Sequence, residues 1–94
     1  MRNIEIFIED AKLLEVIEWL IEYFYVDSKK DITENHFILG CRSDSISCSV
    51  EVKLEAKDRK YTHVIFDSTV SVWASSEDCA ADAHRFMSKI VLSK

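Results

Sequence analysis

The chain has no proline and a single glycine, Gly40. Its loops must therefore be built from Asp, Asn, Ser and Lys, and it lacks the glycine-rich backbone that cradles phosphate groups. No apolar run approaches the roughly 20 residues that a membrane span needs. The opening MRNIEIFIED has acids inside its apolar stretch and no small-residue cleavage site, so it does not read as a signal peptide. A basic stripe is missing too. Lys29-Lys30 and Lys57-Asp58-Arg59-Lys60 are short and bounded or interrupted by acids, and a net charge of -5 opposes non-specific binding to a phosphate backbone. The cysteines number three, an odd count that argues against a disulfide framework. Cys48 falls at an inward strand position and Cys79 opens a helical apolar stripe, so free core thiols are expected. These absences together predict a soluble cytoplasmic protein with no nucleic-acid partner and no membrane contact.

What is present is pattern. From Ile46 to Ala56 apolar and polar residues alternate without a miss. Successive side chains on a strand point to opposite faces, so this run predicts a long strand with one dry and one wet face. Ile4 to Glu9 alternates in the same way. Residues Ala11 to Val26 carry a helical period, capped by Asp10. Leu13, Ile17, Leu20 and Phe24 share a side that Leu14 and Ile21 widen. Glu15, Glu18 and Glu22 fall opposite. The polar stretch Asp27 to Asn35 reads as the one sizeable loop. His36 to Arg42 is a strand in which Gly40 marks a bulge or a close approach. Tyr61 to Ala74 is another strand, with Val64, Phe66, Val70, Val72 and Ala74 on one face and His63, Ile65, Asp67 and Trp73 facing out. Ser75 starts a last helix whose buried side holds Cys79, Ala83, Phe86, Met87, Ile90 and Val91. Asp78 occupies the capping-box position usually held by Glu or Gln.

The length of 94 residues and a hydrophobic content of 48% suit one domain spanning 1–94. The order β-α-β-β-β-α predicts an α+β two-layer sandwich: a mostly antiparallel four-stranded sheet with two helices on one face. If the first two strands run parallel, the helix between them forms a right-handed crossover.

Chemical motifs are thin. Cys41 and Cys48 are six residues apart in the intervening sequence and Cys79 and His84 four, and neither spacing matches a zinc ligand pair, so no metal and no cofactor are expected. His63 and Asp67 share the outward strand face with several serines, but a flat face offers no oxyanion hole, and no catalysis is expected. The carboxylate pairs Glu9-Asp10 and Glu77-Asp78 sit where helices begin, which the helix dipole accounts for. Without its first strand the order α-β-β-β-α resembles a double-stranded RNA-binding domain, as does Ala80-Ala81-Asp82-Ala83. The chain lacks that family's Gly-Pro-x-His loop and lysine-rich last helix, so RNA binding does not carry over.

The remaining signal is aromatic. On the helical wheel Trp19 lies between Glu15 and Glu22, with Tyr23 at i+4. Either its ring folds over the helix edge onto the sheet or the polar loop, or it is an exposed anchor in an acidic surround. Trp73 repeats the pattern on the outward strand face. Size, acidity and compactness resemble those of small bacterial immunity or inhibitor proteins that neutralise cationic toxins. The sequence therefore predicts a non-enzymatic, acidic module that occludes a basic partner such as a toxin nuclease. Its contact residues are Glu15, Glu18, Trp19, Glu22 and Tyr23 on the helix, or His63, Ile65, Asp67 and Trp73 on the sheet. A homo-oligomer formed through the outward sheet face is the alternative. A small ligand-binding domain or enzyme is the third.

Overall fold

A computed structural model describes residues 3–44, 46–67 and 72–94. The elements run β1 (Ile4–Glu9), α1 (Leu13–Leu20), β2 (Tyr25–Thr33), β3 (His36–Arg42), β4 (Ser47–Lys57), β5 (Tyr61–Phe66), α2 (Ser76–Met87) and β6 (Val91–Ser93). The strands form a six-stranded sheet in the order β2-β3-β4-β5-β1-β6, antiparallel at every pairing. The α+β class expected from the sequence holds, and the sheet has six strands where four were expected.

The alternation seen in the sequence sets the face of each central strand. Cys48, Val50 and Val52 of β4 are buried, as are Val64 and Phe66 of β5 and Ile4, Ile6 and Ile8 of β1. They join Val16, Trp19, Leu20, Cys79, Ala80 and Ala83 of the two helices in one core. The pattern in β4 holds through Leu54. Glu55 then takes a positive φ of 53°, the register with β5 shifts, and Ala56 is exposed. Thr62 is the one polar residue buried in this layer among the described residues, and its hydroxyl donates to the Ala11 carbonyl at 2.6 Å.

The two added strands arise from backbone pairing that side-chain pattern does not announce. Residues 27–35 are not the expected loop. Residues 27–33 continue β2, whose side chains are almost all exposed, and pair with β3 through main-chain hydrogen bonds, and Glu34 and Asn35 form the turn between the two strands. Burial does not drive this strand; the neighbouring β3 templates it. Its register slips twice, between Val26 and Ser28 and between Asp31 and Thr33. Gly40 marks a close approach, as expected: a Cβ there would lie 2.4 Å from the Ser28 hydroxyl oxygen, so that exposed side chain would have to rotate away. At the other edge, Ile90 and Val91 do not continue the last helix. Ser88 adopts the left-handed conformation that ends α2, donates its N–H to the His84 carbonyl at 2.8 Å, and frees Val91–Ser93 to pair with β1.

Helix α1 is also shorter than the period suggested. It starts after Lys12, not Asp10. Lys12 donates its N–H to the Glu15 carboxylate at 3.0 Å, and Asp10 instead takes a positive φ of 52° in the turn before it. Tight bonds from the N–H groups of Glu22 and Tyr23 to the carbonyls of Trp19 and Leu20 close the other end. Ser75 caps α2 as expected, accepting from the Asp78 N–H at 3.2 Å. The expected second strand, β3, runs antiparallel to β1, so the crossover condition is not met for that pair; β2, which follows α1 directly, runs parallel to β1 with three strands between them. The expected strand from Tyr61 to Ala74 ends at Phe66. Part of its remainder lies outside the described residues, and residues 72–75 are not strand.

Candidate functional site

The two tryptophans assigned to opposite surfaces meet each other inside the protein. Trp19 is 0% exposed and Trp73 is 7% exposed, and their rings stack at 5.3 Å with a 28° tilt. Phe66 presents an edge to both, at 6.0 Å from Trp19 and 5.1 Å from Trp73. Neither is a surface anchor, which corrects that expectation for both. The cause is the phase of α1. Its buried arc is centred on Val16, Trp19 and Leu20, so it is rotated from the expected stripe towards Trp19. Trp73, beyond the end of β5, is free of the strand's alternation and turns inward under α2.

A single carboxylate fixes this cluster to the surface. Asp82 of α2 accepts from Trp73 Nε1 at 2.8 Å and from the Tyr23 hydroxyl with the same oxygen. That bond, with some burial, pushes the Tyr23 phenol up to about 12. Tyr23 is therefore a structural tie and not a free contact residue. Trp19 Nε1, by contrast, is buried with no hydrogen-bond partner among the described residues.

Of the helix carboxylates, Glu15 is also occupied. It accepts from the Lys12 N–H and from Lys89 Nζ, each at 3.0 Å, and these bonds, the one to Lys12 foremost, hold its carboxyl below the usual range. Glu18 and Glu22 are exposed and make no ion pair or hydrogen bond among the described residues. Beside them stand residues expected in the core. Leu14 is 67% exposed, Ile21 is 58% and Phe86 of α2 is 46%. Leu14 and Glu18 of α1 stand at i and i+4, and Ile21 and Glu22 follow at i+7 and i+8 in the turn that closes the helix. A groove between the helices is lined by Glu15, Glu18, Phe86 and Met87. The sequence held one sign of this arrangement: Val16, Trp19 and Leu20 stand at i, i+3 and i+4, the spacing of a buried arc.

The open sheet face keeps three of its expected residues together. His63, Ile65 and Asp67 are half-buried on β5 and just after it. His63 stacks on Phe7 at 4.3 Å and its Nε2 lies 2.9 Å from Glu5 Oε1. Burial dominates over that carboxylate and lowers the imidazole below its ordinary value. Asp67 accepts from the Ser49 N–H at 2.9 Å. His63 and Asp67 thus turn to different neighbours. A second pair, His36 Nε2 with Glu51 at 2.5 Å, lies across β3 and β4 and was not singled out in the sequence. These pairs knit neighbouring strands together. Ile38, Ile65, Glu51 and Asp67 line a shallow depression between them.

Among the described residues no group of three or more His, Cys, Asp or Glu side chains is placed to hold a metal ion, and no helix is long and apolar enough to cross a membrane. Comparison with protein-family models, with curated proteins and with solved structures finds no match.

Proposed function

We propose that the chain is a non-enzymatic protein-binding module that occludes a basic partner, an inhibitor or immunity-type protein acting on a cationic domain such as a toxin nuclease. The observation that supports this is the outer surface of α1 and α2. Three large apolar side chains, Leu14, Ile21 and Phe86, stand in solvent beside Glu18 and Glu22. Exposed apolar residues gathered on one surface mark a place where something docks. Two copies of this surface would bring like charges together, so self-association is disfavoured there and a cationic partner is favoured. The mechanism is steric and electrostatic. Glutamates would stand where nucleic-acid phosphates sit in the partner's basic cleft, and the apolar residues would hold the contact closed.

The test is a capture from the native source, identification by mass spectrometry, and kinetics with the purified partner. Reversing Glu18 and Glu22 to Lys should slow association, and added salt should shrink the difference. Leu14→Ala should mainly speed dissociation. A partner that binds both variants like the wild type removes this surface from the reading. The alternative is a second copy on the open sheet face, favoured by the depression that Ile38 and Ile65 line. A dimer by light scattering that Ile65→Lys dissociates would select it.

A further inference from the structure

The groove between α1 and α2 has a chemistry narrower than a generally acidic surface, and we propose that it receives an arginine side chain of the partner. This rests on the protein-binding reading above and names what the partner must present. The groove is an open depression of about 180 Å³ between Glu15 and Glu18 on one wall and Phe86 and Met87 on the other. Small-molecule sites run to roughly 300–1,000 Å³, so this space suits one side chain and not a metabolite.

The lining selects among side chains. An aliphatic group would cover the Glu18 carboxylate without offering it a donor, which is costly. An acidic group would be repelled. Among cations the two carboxylates are not equivalent. Glu15 is already closed off by Lys89, whose Nζ lies 3.0 Å from its carboxylate and 2.6 Å from the Asp10 carbonyl. That internal pair is neutral, and of its two members Glu15 lines the groove. Glu18 makes no ion pair among the described residues. Phe86 and Met87 belong to the last turn of α2, where the negative end of the helix dipole also favours a cation.

A guanidinium uses every part of this lining. Its planar face stacks on the Phe86 ring, its paired N–H groups meet the Glu18 carboxylate, and its methylene stem lies along Met87. A lysine ammonium is a compact and strongly hydrated charge. It can approach Glu18 but cannot stack in the same way. The groove should therefore discriminate between the two cations, which a merely acidic surface would not do.

The experiment uses the isotope-labelled protein and two soluble peptides, acetyl-Gly-Leu-Arg-Leu-Gly-amide and its lysine counterpart, followed by NMR. The arginine peptide should shift the amide signals of Glu18, Phe86 and Met87 and bind about fivefold more tightly than the lysine peptide. Glu18→Gln and Phe86→Ala should each abolish that preference, whereas Glu34→Gln, in the exposed turn between β2 and β3, should keep it. Both critical side chains are solvent-exposed, so neither change threatens the fold, and circular dichroism checks this. Equal affinity for the two peptides, shifts confined to other surfaces, or a preference that survives both substitutions overturns the arginine site. An identified basic partner that needs Glu18 and Glu22 but tolerates replacement of its contacting arginines by lysine also overturns it, while leaving the protein-binding reading in place. An arginine preference that depends on Glu18 and Phe86, with no basic partner found, supports the site and removes the reading.

Discussion

Trp19 offers the sharpest check on the packing, because the side chain is fully buried and its nitrogen has no partner among the described residues. Trp19→Ala removes a ring that contacts both Trp73 and Phe66 and leaves a void that a closely packed core fills poorly. Such truncations cost about 3–5 kcal/mol. A domain of this length has only about 5–14 kcal/mol of stability in total, so the variant should be barely folded at physiological temperature. Its melting temperature should fall by roughly 12–40 °C. Trp19→Phe separates packing from polarity. It keeps an aromatic ring but deletes the N–H, whose burial without an acceptor costs about 1–3 kcal/mol. That relief offsets much of the lost packing, and the net change should stay below about 1.5 kcal/mol. Urea unfolding followed by far-ultraviolet circular dichroism avoids the loss of the fluorophore. A cost below about 1 kcal/mol for Trp19→Ala would place the ring at the surface after all. If Trp19→Phe costs as much as Trp19→Ala, the nitrogen is bonded and the argument from the orphan donor fails.

Three further outcomes follow from the same geometry. Burial lowers the His63 pKa, so the unfolded chain binds the proton more readily below about pH 6.5; the stability that neutral His63 carries is present above that pH and lost as pH falls through the folded value. Thermal melts on the acid side of neutrality should show this loss, and His63→Gln should flatten it; an unchanged slope in the variant refutes the assignment. Asp82→Asn removes the charged acceptor of Tyr23 and Trp73, so the phenol near 12 should titrate closer to 10 by ultraviolet difference spectra, and a value that stays near 12 would show that Asp82 is not the cause. Cys41, Cys48 and Cys79 are free and buried, and desolvation pushes the first two thiols up to about 12 and about 11 and the third up further. Alkylation should therefore be slow on the native protein and give three adducts by intact mass in denaturant without reductant; a pair protected in denaturant would reveal a disulfide.

Much of the core was legible along the chain. The period-two runs at Ile4–Glu9 and Ile46–Leu54 assign inward and outward faces on their own, because a strand allows only two side-chain directions. Ser75 reads as a cap because a hydroxyl before a helix satisfies an N–H that nothing else reaches. The free thiols followed from an odd count and inward positions. The sheet residues His63, Ile65 and Asp67 were placed on the correct face for the same reason.

What the tertiary structure decided is where neighbours supply the determinant. Residues 27–33 have no apolar alternation, and β2 exists because β3 offers a row of unpaired backbone groups. Val91–Ser93 follow α2 closely in sequence, and only the left-handed turn at Ser88 and the free edge of β1 make them a strand. The phase of α1 was underdetermined because its apolar residues nearly encircle it. Sequence spacing reports which side chains share a face but not which face the sheet and α2 will cover. Burying Val16, Trp19 and Leu20 put Leu14 and Ile21 in solvent, and that choice moved the candidate contact surface from the tryptophans to the apolar residues beside Glu18 and Glu22.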